Sequence, residues 1–141
     1  MHDGQLCVFA VVVHVYTCDA NMVDGHMVAS TKLLARSLDR ADRMQVLTDL
    51  ASFMDVHVPV DTPVVHWSSA EPQFMRRALS SVTPRHRRLL GRLERIRWVD
   101  LMQMLIDNCV VVPGAPNFQL KTIARSLSAG GWIPPVYNTS V

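Results

Sequence analysis

Charged residues are scarce in this chain of 141 residues. Asp, Glu, Lys and Arg make up 18% of the sequence and apolar residues 49%. These proportions exclude a disordered composition and predict a single domain over residues 1–141 with a hydrophobic core. No run of about 18 uncharged apolar residues occurs, which argues against a membrane span. The apolar run at residues 6–16 lacks the basic region and cleavage site of a signal peptide and predicts a buried strand.

Cysteine and histidine are too few and too scattered for the common metal and disulfide frameworks. The three cysteines are odd in number and form no C-x-x-C pair, which argues against a disulfide scaffold or a zinc knuckle. None of the six histidines pairs at H-x-x-x-H spacing, so the sequence gives no support for a zincin-type site. We therefore expect an intracellular protein, cytoplasmic or nuclear, that is not secreted and has no membrane partner.

Strand and helix patterns alternate along the chain and predict an α/β fold. Residues 6–16 are β-branched and almost continuously apolar, which predicts a strand buried on both faces near the middle of a sheet. Further strands are predicted at residues 27–34 and 62–67, and residues 97–106 are predicted to form a short strand that runs into a helix. Helices are predicted at residues 39–55, after 68, after 83, up to 106 and after 117, with Asp39, Ser68 or Ser69, Thr83 and Asn117 as caps.

Basic charge is concentrated in residues 76–97. Eight arginines and one glutamate give this segment a charge of +7, whereas the rest of the chain carries −5. Such asymmetry is typical of a protein that binds a polyanion. An arginine-rich helix face that is only solvated would give the same pattern, so both interpretations stay open here.

Two acidic residues stand where strands are predicted to end. Glu71 follows the strand at residues 62–67 and opens a helix, and Asp100 lies within the apolar sequence RWVDLMQML. Carboxylates at strand ends can share divalent cations, which activate water and hold the oxygens of a phosphodiester. Alternatively, Glu71 forms a capping box with Ser68, and Asp100 caps the helix that begins near Leu101.

The sequences around these acids resemble the DEDD-type, DnaQ-like 3′–5′ exonucleases of the ribonuclease H-like fold. VVHWSSAEPQFMRRAL resembles the second acidic motif, and RWVDLMQMLIDNCVVVPGAPNFQLKTIARSL resembles the strand and helices that follow it. The similarity is greatest to the YprB-like, RecB-associated subgroup, which includes versions from large DNA viruses. It spans roughly residues 4–133, with HW-x-x-A-E and F-x-L-K-x-I-A as its most specific elements.

The resemblance implies a ribonuclease H-like mixed sheet with flanking helices, incomplete at both ends. The family's first motif, Asp-x-Glu, is expected just before Asp3, and its third acidic motif beyond Tyr137; this chain has neither. Of the four family acids, only Glu71 is carried over, as a metal ligand, and Asp100 is a weaker catalytic candidate. Mg²⁺ or Mn²⁺ would bind only if residues outside this chain complete the site.

Three functional hypotheses follow. The first is a partial or degenerate exonuclease acting on DNA or RNA, with the arginines binding the phosphate backbone. The second is a nucleic-acid-binding module without catalysis, and the third is a structural module that could self-associate through an exposed sheet edge. His66 and Trp67 are expected to be packed residues rather than catalytic ones. The nucleic-acid-binding candidates are Arg76, Arg77, Arg85, Arg87, Arg88 and Arg92.

Overall fold

The computed structural model describes residues 9–17 and 25–135. Within these ranges the fold is mixed α/β, as the sequence predicts. The elements in chain order are β1 (Ala10–Thr17), β2 (His26–Leu34), α1 (Arg40–His57), β3 (Pro63–His66), α2 (Ala70–Ser80), α3 (Pro84–Leu89), α4 (Gly91–Glu94), β4 (Arg97–Asp100), α5 (Leu101–Asp107) and α6 (Leu120–Ala129). None of the helices in the described ranges is long and apolar enough to cross a membrane.

The contacts group these elements into two compact units. Unit 1 contains the described residues up to Pro63 together with Phe74–Arg97, and unit 2 contains Val64–Gln73 and the described residues from Trp98 onward. The described strands form two separate two-stranded sheets, β1 with β2 and β3 with β4. The single domain expected over residues 1–141 stays a prediction.

Helix α1 supplies much of the core of unit 1. Its buried residues recur every three or four positions and so lie along one side of the helix: Val46, Leu47, Leu50, Ala51 and Met54. Asp39 occupies the N-cap position, as predicted, but its side chain makes no capping hydrogen bond. The acid of the first turn, Asp42, instead accepts a hydrogen bond of 2.8 Å from the Ser37 hydroxyl.

Strands β1 and β2 form an antiparallel pair in which Val11 faces Leu33 and Val13 faces Thr31. The residues of β1 alternate between half-buried and exposed, and Val12 and Tyr16 are 54% and 57% exposed. The prediction of a central strand buried on both faces is therefore wrong for the described residues. In the part of the chain that the structure describes, this sheet contains only β1 and β2, and the side chains of Val12 and Tyr16 lie on its exposed face. Residues 6–8 of the predicted strand lie outside the described residues.

The arginine-rich segment forms two short helices instead of the single one predicted. Helix α3 ends at Leu89 and α4 begins at Gly91, because Leu90 leaves the helical conformation with φ −100° and ψ 12°. Thr83 occupies the predicted N-cap position before Pro84. Its hydroxyl lies 2.7 Å from His86 Nδ1 and makes no capping bond to the main chain.

Arg92 is buried inside unit 1, where its side chain is only 6% exposed. Its Nη2 donates hydrogen bonds to the carbonyl oxygens of Val58 and Pro59, at 3.0 and 3.1 Å. Its Nε lies 3.7 Å from Asp55 Oδ1. Arg92 is therefore not available to bind nucleic acid as predicted, because its buried guanidinium donates hydrogen bonds to carbonyl oxygens just beyond α1.

Replacing Arg92 with alanine should destabilise the protein. The change leaves two carbonyls without their donors and Asp55 without its cation, so the free energy of unfolding should fall by about 2–4 kcal/mol. The control is Arg88→Ala, since Arg88 is exposed and should change stability by less than about 0.5 kcal/mol. Urea unfolding followed by circular dichroism measures both; equal effects would contradict an anchoring role for Arg92.

Unit 2 is built on the parallel pair β3 and β4. Helix α6 begins at Leu120 with Gln119 at its N-cap. The predicted cap, Asn117, instead accepts a hydrogen bond from Gln119 N–H ahead of the helix, so that prediction is wrong by two residues.

The C-terminal end of α6 is a Schellman motif. Trp132 N–H donates to Leu127 O and Gly131 N–H donates to Ser128 O, at 2.9 and 3.1 Å. Gly131 adopts φ +75°, a left-handed conformation that glycine takes without steric cost. The glycine pair at positions 130 and 131 therefore ends the helix.

Candidate functional site

The turn between β3 and α2 in unit 2 presents Glu71. Strand β3 ends at His66, and α2 begins at Ala70, where Gln73 N–H donates to Ser69 O. Ser68 adopts φ 66° within this turn, a conformation that is uncommon for residues other than glycine. The Glu71 side chain lies in the first turn of α2 and is 54% exposed, so its carboxylate is accessible to solvent and to a ligand.

Asp100 closes the other side of this turn. Its Oδ1 accepts hydrogen bonds from Gln103 N–H at 3.0 Å and from Ser68 N–H at 3.3 Å. Asp100 is the N-cap of α5, so the cap interpretation is confirmed, while a catalytic role stays a prediction. Because Ser68 N–H donates to Asp100, it does not serve the capping box considered for Glu71.

His66 lies beneath the exposed carboxylate of Glu71. The His66 side chain is 6% exposed, and its Nδ1 is 3.8 Å from Glu71 Oε2. The same Nδ1 is hydrogen-bonded to the carbonyl oxygen of Ser68; since a carbonyl can only accept, Nδ1 carries the proton. The ring of His66 meets the edge of Trp98 at a centroid distance of 5.5 Å and an angle of 86°. His66 is thus held on both sides, as expected for a packed residue.

Trp67 connects the turn to the segment before α6. Its Nε1–H donates to the carbonyl oxygen of Phe118 at 2.9 Å. Trp67 is half-buried, which agrees with the expected packing role. This bond brings the HW-x-x-A-E sequence next to the F-x-L-K-x-I-A sequence.

The described residues of unit 2 hold few metal ligands close together. No group of three or more His, Cys, Asp or Glu side chains suited to a metal ion occurs within residues 9–17 and 25–135. Glu71 can offer one carboxylate, whereas Oδ1 of Asp100 already accepts two N–H groups and Nδ1 of His66 is a donor. These residues alone therefore do not form a complete Mg²⁺ or Mn²⁺ site.

The predicted arginines belong to unit 1, where five of the six are exposed: Arg76, Arg77, Arg85, Arg87 and Arg88. Arg87 pairs through Nε with Oε1 of Glu94. The side chains of the remaining four make no hydrogen bond or ion pair with another described residue. These four side chains are therefore available to a polyanion, and Arg87 is partly neutralised.

Comparison of the chain with protein-family models, curated proteins and solved structures finds no match.

Ser68 is the structurally important residue that sequence reasoning missed. The sequence predicts Ser68 only as a helix cap. In the structure, its main-chain N–H and C=O groups form hydrogen bonds with Asp100 and His66, respectively. A serine gives no sequence signal for a positive φ, which is associated with glycine and asparagine. Cys109, with φ 52°, escapes sequence reasoning for the same reason.

Two substitutions of Asp100 test its role as a helix cap. Asp100→Ala removes the acceptor for two N–H groups and should lower the free energy of unfolding by about 1–2 kcal/mol. Asp100→Asn keeps an oxygen acceptor and should retain most of the stability. Thermal and urea unfolding of the two variants provide the measurement. A loss in Asp100→Asn as large as in Asp100→Ala would show that the negative charge is required.

Proposed function

We propose that this chain is a partial or degenerate metal-dependent ribonuclease H-like exonuclease that acts on nucleic-acid phosphodiesters. One observation carries the proposal: the segments that resemble this family meet around Glu71 in unit 2. Their contacts are Trp67 with Phe118, Ser68 with Asp100 and His66 with Trp98. The proposal also implies an intracellular location, where nucleic acid is present.

These contacts support the proposal because they join residues far apart in the sequence. Trp67 and Phe118 are 51 residues apart, and Ser68 and Asp100 are 32 residues apart. Two of the bonds use a side chain that belongs to a resembling motif, Trp67 Nε1–H and Asp100 Oδ1. A cap and a core tryptophan could occur singly in any α/β protein. Their convergence on one exposed glutamate is what an active-site scaffold requires.

Glu71 is assigned one ligand position in the proposed site. Carboxylate oxygen is the ligand type that Mg²⁺ and Mn²⁺ prefer, and this carboxylate is not used as a helix cap. The other ligands would come from residues outside this chain. When bound, such cations activate water and stabilise the oxygens of the phosphodiester. The chain's own part would be to hold Glu71 at the start of α2, with His66 packed against it.

Glu71→Gln should abolish both metal binding and any cleavage by the protein. Paramagnetic Mn²⁺ at Glu71 would broaden the NMR signals of the His66 ring, since Nδ1 lies 3.8 Å from Glu71 Oε2. Loss of the anionic ligand should remove this broadening and reduce cleavage of labelled DNA and RNA by at least about 100-fold.

Glu94→Gln is the matched control, because Glu71 and Glu94 are the two glutamates of the chain and Glu94 lies in unit 1. It should leave both the broadening and the cleavage unchanged. Broadening of the His66 ring that persists in Glu71→Gln would overturn the ligand assignment. Absence of both broadening and cleavage in the unsubstituted protein would contradict metal binding by Glu71 in this chain and favour the second function below.

The second candidate function is nucleic-acid binding without catalysis. It is favoured by the exposed Arg76, Arg77, Arg85 and Arg88, which lie on consecutive helices of unit 1 with no acidic residue between positions 76 and 88. All eight basic residues of the segment 76–97 are arginine rather than lysine. Arginine's planar guanidinium can form paired hydrogen bonds with a phosphate, whereas a solvated surface requires no such preference.

Removing one of these arginines should weaken nucleic-acid binding in a salt-dependent way. Arg85→Gln and Arg88→Gln should each lower the affinity for single-stranded and duplex DNA and reduce the slope of log K against log salt by about 1. The control is Arg36→Gln, which makes the same charge change at an exposed position outside the segment. Fluorescence anisotropy at several salt concentrations measures these values. Equal losses in all three variants would indicate a general charge effect rather than a defined surface.

A further inference from the structure

Within the described residues, the outer edge of β1 pairs with no other strand. Among the described residues the sheet consists of β1 and β2 alone, so β1 has a neighbour on one side only. A two-stranded sheet is marginally stable without further cover, and unpaired main-chain groups of a strand edge readily pair with another chain.

The main-chain bonding identifies the groups that point outward from this edge. Ala35 N–H donates to Phe9 O at 2.9 Å, and the register sets Phe9 opposite Ala35, next to the pair Ala10 and Leu34. Hydrogen-bonded and non-hydrogen-bonded pairs alternate along an antiparallel ladder. The N–H and C=O groups of Val12 and His14 therefore point away from β2.

The sequence of β1 lacks the charged residues and the proline that commonly protect an edge. AVVVHVYT contains no Asp, Glu, Lys, Arg, Pro or Gly over its eight residues, whereas β2 carries Lys32. Charged residues and proline on edge strands prevent pairing with another chain. The unprotected edge of this hairpin is therefore that of β1.

We propose that β1 pairs in antiparallel orientation with β1 of a second copy of this chain. A two-fold pairing centred on Val13 sets Val12 opposite His14 and Val11 opposite Val15. Paired positions in this register differ by an even number, so the two side chains of each pair lie on the same face of the sheet. Half-buried residues therefore pair with half-buried residues, and exposed residues with exposed ones. No like charges oppose each other, since β1 has no Asp, Glu, Lys or Arg. The strand is thus complementary to itself in hydrogen bonding, side-chain face and charge.

The exposed side of the hairpin favours the same arrangement. Val12 and Tyr16 are more than half exposed on β1, and so are Met27 and Leu34, their neighbours on β2. Pairing of two hairpins joins these positions into one four-stranded surface and buries part of each apolar side chain against its new neighbour. This inference concerns unit 1 and does not depend on the exonuclease proposal.

The association state over a range of protein concentrations tests the proposal. Sedimentation equilibrium of the full chain should show a monomer–dimer equilibrium. Val12→Pro removes an outward N–H, which an edge strand tolerates, and Val12→Lys adds a charge beside its own copy across the two-fold axis. Each should raise the dimer dissociation constant by at least about tenfold. Thr17→Lys is the matched control at the exposed end of β1 and should have a smaller effect.

Circular dichroism shows whether each variant is folded. If Val12→Pro fails to fold, Val12→Lys alone tests the dimer contact. A monomer at all concentrations up to the millimolar range would overturn the proposal. A dimer that persists unchanged in both Val12 variants would also overturn it, because the copies would then associate through another surface. Association that continues beyond the dimer would contradict a closed two-fold pairing.

Discussion

Buried main-chain amide and carbonyl groups must be hydrogen-bonded, and in this protein side chains meet that requirement where elements end. Arg92 donates to the carbonyls that follow α1, and Asp100 accepts from the amides of Ser68 and Gln103. Trp67 donates to Phe118 O. The bonds of Arg92, of Trp67 and of Asp100 with Ser68 each join residues more than 30 positions apart in the sequence. The arrangement within each unit therefore depends on a few polar side chains as well as on its apolar core.

Several elements could be predicted from the sequence because their signals are local. The helix at residues 39–55, the strand before His66 and the cap at Asp100 depend on neighbours within a few positions. The role of Arg92 could not be predicted, because its partners Val58 and Pro59 are more than 30 residues away. The apolar sequence of β1 predicts that the strand is buried on both faces. The sequence alone does not show whether other elements pack against both faces.

In the candidate site, too, local features could be predicted from the sequence, whereas tertiary contacts could not. The place of Glu71 in the first turn of α2 could be predicted from the sequence, whereas the exposure of its carboxylate is seen only in the structure. The positive φ of Ser68 has no signature in a serine, yet it directs one main-chain amide to Asp100 and one carbonyl to His66. The resemblance to exonucleases drew attention to the segments on either side of this turn. It could not reveal how their side chains bond to one another, because those bonds arise from the tertiary arrangement.

The distribution of tryptophan has a practical consequence for spectroscopy. All three tryptophans, Trp67, Trp98 and Trp132, belong to unit 2. Their environments differ, since Trp132 is 78% exposed whereas Trp67 and Trp98 are half-buried. Intrinsic tryptophan emission therefore originates in unit 2, while the far-ultraviolet signal comes largely from the helices of unit 1. Comparing the two signals during unfolding would separate the melting of one unit from that of the other without any added label.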